Sequence, residues 1–584
     1  MISINPVTTD PSPRPPLRLW PGVVIVVLQW FSRFAVPLVV SEATPFGVIA
    51  GMAGGLAVLV WWMFFSRAPW PERAGAIILM VVAVLVTKRA VHPSIAGGMM
   101  GLMLFVYSVP VLSLALVVWA AASRNLAQGP RRVLLVAVIF LACGIWTIVR
   151  TGGFSSDLNH DWAWRWAHTP EERLLTVARD KPSDSARGKT PTVQSVIPAK
   201  TMAHWPGFRG PNRDSILRGV QIETNWSASP PVELWRRPVG PGWSSFAVSG
   251  GLLYTQEQRG EEEVVACHRL SDGEPVWRHG DAARFWESNA GAGPRGTPTL
   301  HADRVYSFGA TGIVNALDAL TGAVVWTRNA AVDTKRKIPE WGLSSSPLVV
   351  DNLVIVAVSG TLAAYDLATG APRWTGPSDG GSYSSPHLLE IDGVRQIFLM
   401  GGAGATSVAL SDGKVLWQHS WKGFPIVQPA QIAPCDFLIS TSDTDGVRRI
   451  RVAHANNVWT VEERWASNRL KPYFNDHVLH RGHAYGFGSG TLACIDLEAG
   501  KSQWKGGRYG AGQLILLADQ DVLLVLSEQG ELALAAAKPG EFTELARFKA
   551  LEGKTWNHPV LVGDVLLVRN DREMVAFRLT LKGG

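Results

Sequence analysis

Asn475 and Asp476 are the neighbouring residues whose side chains best suit chemistry in this chain. A hard cation such as Ca²⁺ prefers oxygen ligands, and the oxidation of an alcohol needs a base such as a carboxylate. Asn475 and Asp476 are therefore the predicted calcium ligands, and Asp476 is the predicted catalytic base if the protein is an enzyme. The alternative interpretation is that both residues only cap the start of a β-strand.

Further binding residues are predicted in eight short segments that precede β-strands and are in register with one another. The segments are GWSSF, GPRGTP, EWGLSSSP, GSYSSP, VQPAQ, LKPYFND, GAGQL and KTWNHP. Each brings polar or aromatic side chains to one common mouth. The predicted ligand-binding residues there are Trp243, Arg295, Trp341, Lys471, Asn475, Trp556, Asn557 and His558. Arg295 and Lys471 either bind an anionic ligand or are only solvent-exposed charges at the rim of the mouth.

Two other kinds of site are disfavoured by the pattern. His477, His480 and His483 are spaced closely enough to suggest a metal, but strand alternation places the first two on opposite faces. The net charge of +7 comes partly from short loops beside apolar segments, which is typical of membrane topology. No basic groove lined by aromatic residues is recognisable, so no nucleic-acid partner is predicted.

The elements that carry these residues belong to a repeat. ALDALTGAVVW, which ends at Trp326, has clear copies that end at Trp277, Trp374, Trp417 and Trp504. Each copy reads as a strand, a tight turn at glycine and a second strand closed by tryptophan. With the weaker copies at Trp235, Trp465 and Phe548, the spacing is 39 to 49 residues, the length of a four-stranded propeller blade.

The two ends of the repeat region complement each other. The strand at residues 574–579 lacks its tryptophan strand, and the strand around Trp235 lacks the strand before it. Joining the two would remove exposed sheet edges. We therefore predict an all-β propeller of eight blades over residues 204–584, closed between its termini.

Residues 1–152 form a predicted transmembrane anchor of about five helices. The apolar segments are residues 21–40, 45–65, 74–87, 95–121 and 133–149. The third is short for roughly 30 Å of hydrocarbon, so it either gains length from its flanks or re-enters. If all five span, seven loop cations lie on one side against two on the other, which favours an inner amino terminus. The first segment has no cleavage site, so no cleavable signal peptide is predicted.

Residues 153–203 join the two regions. Three tryptophans in residues 157–167 suit the lipid headgroup level. Thr169, Pro170 and Glu172 form a capping box that predicts a short helix through residues 173–179. The polar stretch over residues 180–200 is interpreted as a flexible spacer.

The motif of Ala316, Asp318, Thr321, Gly322 and Trp326 resembles the repeat of the pyrroloquinoline quinone (PQQ)-like propeller family. The opening WPGFRGPNR, residues 205–213, resembles that family's entry segment, so the resemblance covers residues 205–584. The family includes quinoprotein dehydrogenases and the lipoprotein scaffold of outer-membrane β-barrel assembly. Five helices before a propeller resemble membrane-bound quinoprotein glucose dehydrogenase, which implies PQQ, Ca²⁺ and ubiquinone if this chain is an enzyme.

A disulfide separates the chain from the alcohol dehydrogenases but not from the membrane glucose enzymes, which also lack it, and size separates the chain from both. The alcohol dehydrogenases of the family hold PQQ against a disulfide of adjacent cysteines, and Cys143, Cys267, Cys435 and Cys494 are all far apart in the sequence. The repeats also leave few residues for the long insertions that build the enzymes' deep site. The expected function is therefore a binding or assembly platform for envelope proteins or ligands. It would be held by lipid in the cytoplasmic membrane, with the propeller on the periplasmic or outer side.

Overall fold

A computed structural model of the chain describes residues 17–40, 43–156, 160–180, 204–378, 380–441 and 446–583. The chain divides into two compact units. One comprises residues 1–167 with 288–290, and the other comprises residues 168–287 and 291–584.

Five helices of the first unit are long and apolar enough to cross a membrane. They are Trp20–Val39, Thr44–Phe65, Trp70–Ala90, Met103–Ala122 and Gln128–Thr147. The third helix has 21 residues because residues 70–73 extend it at one end and residues 88–90 at the other. The short apolar segment therefore gains its length from its flanks, and the prediction of five such helices is confirmed.

Two smaller elements complete the first unit. A short helix, Pro93–Gly97, lies between the third and fourth apolar helices. After the fifth helix, strands Val149–Phe154 and His160–Trp164 form an antiparallel hairpin. The tryptophans predicted for the headgroup level lie on and after its second strand, where the Trp164 and Trp166 rings stack at 5.3 Å.

The second unit begins with the predicted capped helix, Pro170–Asp180. The Glu172 backbone N–H donates to Thr169 Oγ1 at 3.0 Å, and the Thr169 N–H donates to Glu172 Oε2 at 2.7 Å. This reciprocal pair is the capping box that the sequence predicts. From residue 181 onward the predicted spacer lies outside the residues that the structure describes.

Eight blades of four antiparallel strands follow, and we number them 1 to 8 by their innermost strands. The sheet of blade 7 has a fifth strand, Ile216–Leu217, which pairs in parallel with its innermost strand. The innermost strands are Ala247–Ser249, Thr299–His301, Leu348–Val350, His387–Ile391, Ala430–Ala433, Val478–His480, Gln513–Leu517 and Val560–Val562. The second strands are Leu252–Arg259, Arg304–Phe308, Leu353–Val358, Val394–Gly401, Asp436–Ile439, His483–Gly488, Val522–Leu526 and Val565–Arg569. The third strands are Glu262–Arg269, Ile313–Asp318, Thr361–Asp366, Gly404–Ala409, Val447–Ala455, Thr491–Asp496, Glu531–Ala536 and Glu573–Arg578. The outer strands are Pro275–Asp281, Val324–Asn329, Pro372–Ser378, Val415–Ser420, Val458–Ser467, Ser502–Arg508, Glu544–Lys549 and Val232–Pro238.

The ring closes between its termini as predicted. Glu573–Arg578 pairs antiparallel with Val232–Pro238, and Ala576 faces Trp235. The first and last strands of the propeller thus complete blade 8, and no sheet edge is left between the chain ends.

Neighbouring blades are joined by the repeated tryptophans. Each indole N–H of Trp235, Trp277 and Trp326 donates to a carbonyl in the next blade's turn, at 2.9 to 3.1 Å. The turn glycines have positive φ, and a methyl group on Gly322 would lie 2.5 Å from the Trp277 ring. Glycine is needed there both for the turn and for the close approach of the ring.

Candidate functional site

The segments that lead into the first six innermost strands are joined by five hydrogen bonds between successive blades. In each link a backbone N–H of one blade donates to the side-chain oxygen at the same position of the next blade. The links run from Ser245 to Thr297 (3.0 Å), Ser346 (3.0 Å), Ser385 (2.9 Å), Gln428 (2.9 Å) and Asp476 (2.6 Å). We call this set the relay ring. Asp476 is its sixth member, so Oδ1 of this carboxylate is an acceptor in a repeated structural position.

The second oxygen of Asp476 faces a buried arginine. Arg209 Nε lies 3.5 Å from Asp476 Oδ2, and the two residues are 2% and 5% exposed. Burial raises the pKa of Asp476, while Arg209 and the Gln428 N–H act in the opposite direction. Both carboxylate oxygens are therefore engaged within the fold.

Arg209 lies in a segment that crosses the ring opening, and we call residues 205–217 the plug. Trp205 exchanges backbone hydrogen bonds with Val248 of blade 1, and Arg213 donates to the carbonyls of Ser346 and Pro347 before blade 3. Its last two residues pair in parallel with Leu516 and Leu517 of blade 7. The plug therefore contacts blades on opposite sides of the ring and closes one face.

A chain of polar contacts links the plug to blade 8. Arg209 Nε donates to Ser215 Oγ at 2.8 Å, and Ser215 Oγ lies 2.9 Å from His558 Nε2. His558 Nδ1 is 2.7 Å from the Pro559 carbonyl oxygen, which can only accept. Burial, then the charge of Arg209, lowers the pKa of His558 to about 3. The neutral ring therefore donates to Pro559 and accepts from Ser215.

The opposite face of the ring carries the aromatic mouth. Four aromatic residues each lie two positions before a residue that leads into an innermost strand. They are Trp243 before Ser245, Tyr383 before Ser385, Phe474 before Asp476 and Trp556 before His558. Their rings form a series of contacts with Trp341 and Tyr473. The centroid separations are Trp243–Trp556 4.8 Å, Trp556–Phe474 4.9 Å, Phe474–Tyr473 5.3 Å, Tyr473–Trp341 6.4 Å and Trp341–Tyr383 5.2 Å.

A lysine lies over one end of this aromatic series, at Trp243 and Trp556. Lys554 Nζ is 4.3 Å from the Trp556 ring centroid and 5.2 Å from that of Trp243. The Trp556 N–H donates to Glu528 Oε1 at 2.8 Å, which fixes the indole orientation. Burial lowers the pKa of Lys554 to about 8, against the opposing charges of Asp571, Glu287 and Glu528. The mouth thus offers partly exposed aromatic rings with one cation at the Trp243–Trp556 end.

The structure brings together only part of the predicted binding set. Trp243, Trp341 and Trp556 meet in the aromatic mouth. Arg295 instead donates to the carbonyls of Gly291, Gly293 and Trp341 and pairs with Glu287 at 3.3 Å. It therefore fastens the hairpin of strands Trp286–Glu287 and Gly291–Ala292.

Three other predicted residues have roles within the ring wall. Asn557 Nδ2 donates to the carbonyls of Ser244 (2.7 Å) and Gly242 (3.2 Å), which joins blade 8 to blade 1. Asn475 Oδ1 accepts from the Tyr473 N–H at 3.1 Å. Lys471 is half-buried, and its backbone N–H donates to Phe487 at 3.2 Å.

Two contributors were not nominated from the sequence. Lys554 lies two residues before Trp556 in a segment recognised as part of the mouth, and this adjacency is the signal that could have found it. Arg209 lies in the entry segment, where a single arginine among loop residues gives no indication of its distant partner Asp476.

The residues of this ring do not fit a calcium–quinone centre. The guanidinium of Arg209 occupies the side of Asp476 where a second cation would bind, and like charges repel. A planar cofactor between two rings needs a gap of about 7 Å, twice an ordinary contact distance, but Trp243 and Trp556 are 4.8 Å apart. Among the described residues, no three His, Cys, Asp or Glu side chains are grouped to hold a metal.

Fold and site together define a protein with a unit of apolar helices and an eight-bladed PQQ-like propeller. A family model described as outer membrane protein assembly factor BamB matches residues 226–385 and 261–505. This match confirms the resemblance that the repeats indicated.

Individual relatives differ in what their names describe. A tetrathionate hydrolase of Acidithiobacillus ferrooxidans is 25% identical over 65% of this chain and 78% of its own length. A BamB of Yersinia pestis is 22% identical over 54% of this chain and 72% of its own length. A solved quinohemoprotein alcohol dehydrogenase of Pseudomonas putida is 14% identical, covers 65% of this chain and 81% of its own, and superposes with a TM-score of 0.47.

Proposed function

We propose that this protein is a membrane-anchored platform that binds envelope proteins through the aromatic mouth of its propeller. The observation that carries the proposal is the series of six aromatic rings at the mouth, with Lys554 over the two rings at one end. The nominated catalytic carboxylate, Asp476, lies within the relay ring and pairs with Arg209. The mouth therefore has the means to bind, and both oxygens of Asp476 are engaged within the fold.

The chemistry of the mouth suits a protein segment. Tryptophan and tyrosine provide large contact areas with few rotatable bonds, and they commonly carry most of an interface's binding energy. Tyr473 is 39% exposed, so the series is reachable from solvent. Lys554 adds a donor that an acidic or carbonyl group of the bound segment would pair with. The BamB relatives support the envelope as the place of action.

The five apolar helices support placement in the membrane. The seven-to-two distribution of loop cations supports an inner amino terminus, and an odd number of crossings then brings the propeller to the outer side. The propeller would work in the periplasm of a cell with two membranes. The helices would contact membrane lipid.

Site-specific photo-crosslinking in cells tests the platform. A photoreactive residue at Tyr473 in the mouth is expected to form adducts with envelope proteins. The same residue at Leu320, which is 61% exposed on an outer turn, is expected to form none. Replacing both Trp243 and Trp556 by Ala should remove the adducts, because each lost aromatic anchor costs about 2 kcal/mol of binding.

A matched control separates the mouth from tryptophan content in general. Trp459 stacks on His454 at 4.2 Å on the outer hairpin of blade 5, so Trp459→Ala should leave the adducts unchanged. Equal adducts at Leu320 and Tyr473 would contradict the proposal. So would turnover of tetrathionate, or of sugars or alcohols with added PQQ and Ca²⁺, by the purified full chain.

A further inference from the structure

Arg33 is a buried cation inside the first apolar helix. It is 6% exposed and lies in a π-helical turn, Phe31–Ala35, within Trp20–Val39. A charged side chain in such a helix is costly, and a π-turn often marks a functional position because it redirects side chains. Both features call for an explanation beyond packing.

Neighbouring helices make room for this side chain. A methyl group on Gly51 of the second helix would lie 3.2 Å from Cδ of Arg33 and 3.7 Å from Cγ of Pro110. Gln29, one turn earlier than Arg33, donates to the Gly51 carbonyl at 2.7 Å. Its Oε1 is buried and has no hydrogen-bond partner among the described residues. A polar recess is thus built into the helix contact.

The charge of Arg33 is not balanced by the chain in the described ranges. No Asp or Glu side chain described by the structure lies within 4 Å of its guanidinium. Arg131, the other largely buried arginine of these helices, has such a partner in Glu72 at 3.2 Å. Among the described residues, Arg33 lies over the rings of Phe34 and Tyr107, each centroid 5.1 Å from Cζ, and hydrogen-bonds the Tyr107 side chain, so these partners are neutral. Cation–π contacts offset part of the desolvation of a guanidinium, not all of it.

An aromatic wall continues from Tyr107. Its ring contacts those of His160 at 5.1 Å, Trp162 at 5.3 Å and Trp146 at 5.8 Å. Trp146 ends the last apolar helix, and the other two residues lie in the following hairpin. Amphipathic rings of this kind are typical of the headgroup level of a bilayer.

We propose that Arg33 binds the phosphate of an anionic phospholipid, with the aromatic wall beside the lipid's headgroup. A guanidinium presents paired donors that match phosphate oxygens, and a phosphate supplies the missing counter-charge. The same chemistry would accept free inorganic phosphate, which the experiment distinguishes. The inference rests on the proposal that the five helices cross a membrane, so alkaline carbonate extraction of membranes is performed first and must leave the chain in the pellet.

The test compares variants of the full chain purified in neutral detergent. Melting temperature and native mass spectra are recorded with phosphatidylglycerol, with phosphatidylcholine and with inorganic phosphate. The wild type is expected to be stabilised by phosphatidylglycerol and to retain it, with no response to phosphatidylcholine. If inorganic phosphate raises the melting temperature and no lipid is retained, the proposal of a phospholipid ligand is wrong and Arg33 binds a free anion.

Arg33→Met and Arg131→Met are the matched pair. Without added lipid, Arg33→Met should melt no lower than the wild type, since it removes an uncompensated charge, and its response to phosphatidylglycerol should vanish. Arg131→Met should melt lower, since it leaves Glu72 alone, and should keep the response. Arg33→Lys should bind the lipid about 10-fold more weakly because an ammonium cannot form the paired contact.

Two outcomes would overturn the proposal. One is a lipid response that is undiminished in both Arg33→Met and Arg33→Lys. Arg33→Lys is included because it keeps the positive charge and so is expected to fold like the wild type. The other concerns Glu42, an acidic residue that lies outside the described residues. If Glu42→Gln lowers the melting temperature and Arg33→Met cancels that loss, the counter-charge comes from the chain and no lipid phosphate is required.

Discussion

Replacing Asp476 by Asn separates the two roles that this carboxylate can have. The amide keeps an oxygen for the Gln428 N–H but removes the charge that faces Arg209. If Asp476 is a structural member of the relay ring, the propeller should lose stability. If it is a catalytic base, the fold should be kept and turnover should fall by about 10² to 10⁴.

The size of the stability loss follows from the surroundings of Arg209. Removing one partner of a buried ion pair costs about 3–5 kcal/mol because the other charge is left buried. Arg209 keeps three acceptors, namely Ser215 Oγ and the carbonyls of Asp214 and His477, so the lower value applies. For a propeller of this size, about 3 kcal/mol corresponds to a fall of roughly 4 °C in melting temperature.

A double variant provides the sharper comparison. Burial raises the pKa of Asp476 in spite of Arg209, so the ion pair does not fully repay the desolvation of the carboxylate. Replacing Arg209 by Met together with Asp476→Asn should therefore restore most of the stability that either single change removes. The assay is tryptophan fluorescence of the full chain on heating. The structural interpretation is refuted if Asp476→Asn melts like the wild type and abolishes a PQQ- and Ca²⁺-dependent oxidation.

Three further predictions concern topology, closure and pH. A reporter active only outside the membrane should work after Gly584 and be silent after Pro130; the reverse pattern would contradict five crossings. Deleting residues 574–584 removes the third strand of blade 8 and exposes the strands beside it, so the product should aggregate or melt lower; a soluble monomer of unchanged melting temperature would refute the closed ring. Burial, and after it the charge of Arg209, lowers the pKa of His477 to about 3. As the pH falls from about 6.5 towards 3, the imidazole of His477 is protonated in the unfolded chain but not in the folded protein, so the free energy of unfolding should decrease. In His477→Asn this fall in melting temperature should be shallower, and an identical pH profile would contradict the assignment.

The blades could be predicted because most of them carry the same short pattern of a glycine turn followed by a tryptophan. A glycine turn and a tryptophan a few residues later are enough to place one indole on the next blade's turn. Trp417 shows how local the rule is. The next blade has the two-residue turn Asn456–Asn457 in place of the glycine turn, and the Trp417 N–H donates instead to Gln396 Oε1 of its own blade at 2.6 Å.

The site could be predicted only in part because its contacts are not local. Arg209 and Asp476 meet across the ring, and no spacing or periodicity announces the pair. Arg295 looked like a ligand-binding cation because its residue type and position suited the rim. Its carbonyl partners around Gly291 and Gly293 depend on a hairpin whose fold the sequence pattern did not reveal.

The relay ring also explains why residue type at this position is a poor guide to function. Its links need only a side-chain oxygen, and Ser, Thr, Gln and Asp all provide one. An aspartate here is therefore as compatible with a joint between blades as with catalysis. The positions two residues earlier carry no such requirement: Arg295 at one of them is buried against Glu287 and nearby carbonyls, whereas aromatic residues at others reach the mouth. Trp243, Tyr383, Phe474 and Trp556 stand at four of these eight positions, so differences in binding between similar propellers should arise there rather than within the ring.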